Sequence, residues 1–256
     1  MPVVATIAEL VRDSILFDPL RNQYQRLLCK GKWAIREARK EYYRQFIRQG
    51  SLVFDVGAHE GIYTRDFLSL VATVVCIEPL PLLVRKLRCI RPREKVHVEP
   101  VAAGATSTTL VMYASKLDTV GTLSQDWIAS MREGRFHDYQ WQPAETVPVV
   151  PLDLLIQKYG LPDFIKIDVE GFELNVLRGL STLPKALSFE FNPEFLKGTE
   201  ECIAQFPPAA RFNWTLGEPS LPLLSSQWLD AKAMSGMVRS EVFRGYKLNG
   251  DIVVQT

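Results

Sequence analysis

Leu52-Val53-Phe54-Asp55-Val56-Gly57-Ala58-His59-Glu60-Gly61 is the stretch on which the reading of the fold turns. A short apolar run enters a glycine-bearing loop, and over 62–70 the spacing becomes that of a helix. The pattern recurs. Apolar runs at 74–78, 96–101, 164–168 and 186–191 read as strands, and 82–90, 152–159 and 172–178 read as helices. Gly179 closes the last of these where a helix C-cap favours glycine. Continuous apolar strands alternating with helices predict a parallel sheet covered on both faces. Residues 211–217 and 251–255 read as two more strands, the closing pair of an open, doubly wound, seven-stranded α/β sheet, with the hairpin as one way to join them.

Upstream of that core, 3–17, 20–30 and 33–48 read as helices, so residues 1–49 form an N-terminal helical extension to a domain spanning 50–256. Residues 21–49 hold nine basic side chains against Glu37 and Glu41, a face that either meets solvent or meets phosphate or an acidic partner. The stretch 114–148, with Gly121, Gly134, Trp127, Trp141, Tyr139 and His137 and little apolar periodicity, is read as an insertion or lid.

Composition excludes several classes. With 256 residues, 47% hydrophobic and 23% charged, the chain can bury a core without staples. A net charge of +1 provides no global field for nucleic acid or an anionic membrane. No apolar run approaches the ~20 residues of a bilayer span, and the charged start, Glu9 to Asp13, is unlike a signal peptide. Cys29, Cys76, Cys89 and Cys202 are too scattered for a disulfide framework or a zinc site. The expectation is a cytoplasmic globular protein of unspecified oligomeric state.

In an open parallel sheet, ligands bind beyond the carboxyl ends of the strands. Gly57 and Gly61 permit a tight turn there and a close ligand approach. The spacing is neither G-x-G-x-x-G nor a P-loop. An acid at the strand end, Asp55, with Glu60 in the loop, suits a ligand carrying a positive amino group better than a pyrophosphate. Glu78 ends the second strand 21 residues beyond Gly57, where a carboxylate can accept both hydroxyls of a ribose, and Pro79 fixes the turn after it. Ala102 and its small neighbours leave room for a flat base. An amino-acid end, a ribose and an adenine describe S-adenosylmethionine better than a nicotinamide cofactor.

These segments, with Pro151-Leu152-Asp153 leading into Phe164-Ile165-Lys166-Ile167-Asp168-Val169-Glu170-Gly171-Phe172-Glu173, then Val176-Leu177-Arg178-Gly179 and Ser188-Phe189-Glu190-Phe191, resemble the FkbM-family methyltransferases. The resemblance covers roughly residues 50–195, and the block around Asp168 is its most specific part. His59-Glu60 stands where the family more usually has Asn and an apolar residue. The resemblance implies a Rossmann-like fold of the class I methyltransferase type and O-methylation of a small-molecule, sugar, glycan or polyketide hydroxyl. Asp55, Gly57, Ala58, His59 and Gly61 would hold the methionine end, Glu78 and Pro79 the ribose side, and Ala102 the adenine.

Asp168 and Glu170, two apart, would share a face on an extended backbone and are the candidate catalytic pair. A carboxylate there could take the acceptor's hydroxyl proton. Alternatively, Asp168 and Glu170 with Glu190 could hold a divalent ion, although no residue is assigned to a metal. Glu170 could also simply cap the next helix. His97 reads as a core or edge residue. His137 reads as a lid base or a surface residue, and Trp127, Tyr139 and Trp141 as sugar-stacking groups or as anchors of the insertion. The competing functions are a nucleic-acid methyltransferase using the basic helices, an inactive adenosyl-ligand-binding module, and a nicotinamide oxidoreductase. No Asn/Asp-Pro-Pro-aromatic motif follows 164–168 to hold a flipped base, which counts against nucleic acid.

Overall fold

The computed structural model describes residues 30–115, 121–134, 137–217 and 223–256. The helices expected at 3–17 and 20–30 lie outside the described residues, apart from Lys30. The strands in chain order are β1 (Leu52–Val56), β2 (Thr73–Ile77), β3 (Val96–Glu99), β4 (Ala102–Ala103), β5 (Thr108–Ser115), β6 (Gly121–Thr122), β7 (Trp141–Val150), β8 (Phe164–Ile167), β9 (Ala186–Phe191), β10 (Arg211–Trp214) and β11 (Gly250–Gln255). The helices are α1 (Lys30–Tyr43), α2 (Ile62–Ser69), α3 (Pro81–Arg88), α4 (Gln125–Arg132), α5 (Leu152–Tyr159), α6 (Glu173–Arg178), α7 (Leu196–Ile203), α8 (Ala231–Arg239) and α9 (Glu241–Arg244).

Seven strands form one sheet in the order β10-β11-β9-β8-β1-β2-β3. Five pair in parallel; β1, β2, β8 and β9 are buried on both faces, as their largely apolar sequences require, and β3 is the partly exposed edge. β11 runs antiparallel between β9 and β10. The last two strands are therefore not a hairpin, because α8 and α9 lie between them in the chain. Alternation along each strand divides the core. Phe54, Val75, Ile165 and Phe189 pack on one side, while Val53, Val74, Phe164 and Val253 pack on the other with Tyr43 and Phe67.

The helix expected over 33–48 ends at Tyr43, but the chain beyond it still packs, with Ile47 buried. Here the basic run turns inward. Arg36 and Arg39 place their Nε atoms 3.0 and 2.8 Å from the two oxygens of buried Asp66 on α2. Lys40 and Arg44 pair with Glu37 and Glu41. Arg39, which is itself buried, closes one end of the core rather than forming part of a solvated face.

Residues 102–150, read from sequence as irregular, build a second sheet in the order β4-β7-β5-β6. The signal was weak for two reasons. Pro143 and Pro148 interrupt β7, and most of that strand is exposed, so it lacks a clean apolar period. Trp127 of α4 and Trp141 of β7 are buried edge-to-face at 5.2 Å, with Tyr139 stacked on Trp141 at 6.1 Å. They anchor the insertion. His137 is exposed beside Asp138, and His97 packs beside Tyr159.

Candidate active site

A cavity opens at the carboxyl ends of β1, β2 and β8, beside the switch in strand order, and the second sheet walls it on one side. Gly57, Ala58, His59, Glu78, Pro79, Ala102, Asp168 and Glu170 all line it.

Asp55 and Gly61 do not line the cavity. The Asp55 carboxylate is 1% exposed and accepts the Thr64 hydroxyl of α2, so it ties the strand to the helix beneath the loop. Burial pushes its pKa up to about 6, against the lowering effect of the Thr64 hydrogen bond and Lys166. Gly61 begins α2 at φ 76°, a left-handed conformation that favours glycine, and a Cβ there would push on the Ile90 Cδ1 methyl at 2.4 Å. Gly57 lines the cavity, but its glycine has a second cause. At φ 78°, a Cβ would fall 1.8 Å from the carbonyl oxygen of Asp168, so the loop packs directly on the end of β8.

Glu78 is the most firmly positioned acid of the cavity wall. It is 5% exposed, and its carboxylate accepts the backbone N–H groups of His59 at 3.0 Å and Leu80 at 2.9 Å, one on each oxygen. A carboxylate has about four acceptor positions, so each oxygen keeps capacity toward the cavity. Burial raises the pKa of Glu78, and the two N–H bonds pull it back. Beyond it, Leu80, Leu83, Ala102, Met112 and Leu123 make an apolar compartment suited to a flat base. Four of these five were not singled out in the sequence, because the second sheet and the turn into α3 bring them in. An anionic cradle for hydroxyls beside an apolar slot fits the nucleoside of S-adenosylmethionine.

The opposite wall is acidic. Asp168 follows β8, and Glu170 adopts φ 53°, a left-handed conformation rare outside glycine. That conformation is held in place: the Glu170 carbonyl accepts the Thr122 hydroxyl at 2.6 Å, and Gly171 lies over Trp127, where a Cβ would come within 2.3 Å. Asp168, Glu170 and Glu190 bring one oxygen each within 4.8 Å of one another. The left-handed turn, rather than strand alternation, produces this convergence. Glu170 is not the acid that braces the following helix. Glu173 takes that place, accepting from the N–H groups of Val169 at 3.2 Å and Gly171 at 3.1 Å, with burial pushing its pKa up to about 7.

Two of these acids already have partners within the protein. Glu190, whose pKa burial and then Glu170 drive upward, accepts from the side-chain amides of Asn192 and Asn249. Asp168 receives the ammonium of Lys166 at 2.6 Å. No metal ligand is assigned here. The sequence motif alone gives Lys166 no role of its own. A lysine between Ile165 and Ile167 in a buried strand was the available signal, since a buried ammonium needs an anion.

Residues 55–206, more than half of the chain, match the methyltransferase FkbM domain. The chain belongs to the FkbM methyltransferase family. Its main sheet has the Rossmann-like α/β order of the class I methyltransferase type. Among solved structures, the methyltransferase FkbM of Methylobacillus flagellatus is similar at 17% identity and TM-score 0.44, over 72% of this chain and 49% of that one. The chain thus spans about half the length of that protein. The precorrin-6y C5,15-methyltransferase of Geobacter metallireducens is similar at 8% identity and TM-score 0.44, over 86% of each chain. The plantazolicin methyltransferase, solved with SAH, is similar at 10% identity and TM-score 0.40, over 100% of each chain. No curated protein matches the chain.

Proposed function

We propose that this FkbM-family enzyme is an O-methyltransferase acting on a hydroxyl of a small molecule, sugar, glycan or polyketide-type acceptor. The observation that carries the reading is the Asp168 carboxylate in the cavity wall, with one oxygen held by Lys166 and the other left to accept a proton. S-adenosylmethionine, when bound, supplies an electrophilic methyl on a sulfonium. Glu78 would accept the ribose hydroxyls, and the pocket around Ala102 and Met112 would take the base. Asp168 would draw the proton from the acceptor hydroxyl as its oxygen forms the new bond to carbon and the carbon–sulfur electron pair returns to sulfur. Glu170, beside it, would orient the acceptor.

A nucleic-acid acceptor draws less support. Arg36, Arg39, Lys40 and Arg44, four of the cations that motivate it, already face carboxylates of this chain. Among the described residues no helix is long and apolar enough to cross a membrane.

The test is a panel of hydroxylated acceptors incubated with S-adenosylmethionine and read by mass spectrometry. The expected product carries its new methyl on oxygen. D168N should lower kcat by about 10²- to 10⁴-fold, the usual contribution of a general base, while still binding S-adenosylhomocysteine. Methyl on nitrogen or carbon, or an undiminished D168N, overturns the reading. Tight cofactor binding without any turnover would favour an inactive binding module.

A further inference from the structure

We propose that Lys166 is a positioning residue for methyl transfer: its buried ammonium holds one oxygen of Asp168, balances the charge of the acidic wall and leaves the other oxygen for the acceptor. The proposal rests on the reading of Asp168 as proton acceptor.

Lys166 is 1% exposed in the middle of β8, between two fully buried isoleucines. It does not line the cavity, so any effect on the acceptor passes through another group. Its Nζ lies 2.6 Å from Asp168 Oδ2 and 4.2 Å from the ring centroid of Tyr63, which does line the cavity. The register of the sheet sets Lys166 directly between Asp55 on β1 and Ser188 on β9. Ser188 in turn donates to Asp251 of β11, a second anion acting on the lysine. Burial opposes the charge on Lys166, and Asp168 and Asp251 overcome it, so the ammonium persists.

Among the described residues, the charged groups facing Asp168 are Asp55 from β1, Lys166 from its own strand, Glu170 from the adjoining loop, Glu173 from α6 and Glu190 from β9. Only Lys166 among them is cationic. Without it, no cation of this set offsets the mutual repulsion of carboxylates so close together. Removing the ammonium also frees the Asp168 side chain to rotate.

The experiment compares wild type, K166M, K166Q, D168N and K166M/D168N, each first checked for folding by thermal melting and for S-adenosylhomocysteine binding by calorimetry. With the best hydroxyl acceptor of the panel, K166M should lose about tenfold or more in kcat while the cofactor KM stays within about threefold. The acid limb of its kcat/KM profile should move to higher pH. K166Q, which keeps a neutral N–H donor, should fall between wild type and K166M. In the D168N background, K166M should cost nothing further, since both changes remove one unit. A K166Q or K166M enzyme with wild-type kcat and an unmoved acid limb, or losses that add in the double variant, overturns the proposal. The two readings fail separately: a fast D168N sinks the proton-acceptor role itself, whereas a slow D168N beside a fast K166M sinks only the role of Lys166.

Discussion

Replacing Glu78 tests the cofactor assignment most directly, and the choice of substitution matters. Its two oxygens already hold the N–H groups of His59 and Leu80, so Glu78→Ala removes the ribose partner and strands two buried donors together. Each unsatisfied donor costs about 1–3 kcal/mol of stability, which would blur any binding result. Glu78→Gln is cleaner. It keeps the shape and one acceptor oxygen, loses the charge, and must turn its amide so that one backbone bond and one ribose bond are compromised. Hydrogen bonds to a charged group contribute about 1.5–3 kcal/mol, or about a 10- to 150-fold weaker Kd at 25 °C. Calorimetric titration with S-adenosylhomocysteine measures it, with melting of the free protein as the control for folding. The pH dependence adds a second signature. Burial raises the pKa of Glu78, and its protonated form has lost acceptor capacity. Wild-type affinity should therefore weaken as pH falls through that raised value, and the Gln variant should lack this Glu78-dependent component. A Gln variant that melts like wild type and binds within about twofold of it would refute the ribose assignment.

Two further outcomes follow from the same geometry. Gly57→Ala forces a Cβ onto the Asp168 carbonyl at 1.8 Å in a left-handed conformation, so it should destabilise the fold by more than about 2 kcal/mol and weaken cofactor binding; an alanine variant with unchanged melting and affinity would contradict the packing described. The pKa values of Asp55, raised to about 6, and Glu173, raised to about 7, lie above their unfolded values of 3.8 and 4.5. Their contribution to stability is therefore present at low pH and lost as pH rises through the folded values, by about 3 kcal/mol each at 1.36 kcal/mol per unit. In denaturant titrations, D55N and E173Q should each remove part of that decline between about pH 4 and 8, and equal slopes in wild type and both variants would argue against it.

Most of the main sheet was readable because its strands are buried on both faces, and such strands are written as unbroken apolar runs whatever lies beside them. The block from Phe164 to Glu173 combined one such run with acids at its end, enough to place Asp168 at the mouth of the sheet. The second sheet was not readable. β7 is mostly exposed and carries two prolines, so neither its period nor its propensity marks it as a strand, and pairing with β5 and β4 alone makes it one.

By itself, the sequence determined the order of strands and helices in most of the main sheet, the carboxyl-end location of the cavity, and the presence of Glu78 and Asp168 in its wall. All three depend on local periodicity and on which residue follows each apolar run. The tertiary structure decided which loop residues face the cavity. Asp55 turns under the loop to Thr64, while Glu170 and Glu190, 20 residues apart, meet through a left-handed turn. It also decided the fate of the charges. Arg36 and Arg39 spend theirs on Asp66, and Lys166 reaches Asp168 from inside a strand. Whether a charged side chain faces water or an opposite charge depends on the elements that pack around it, and spacing along the chain does not encode that.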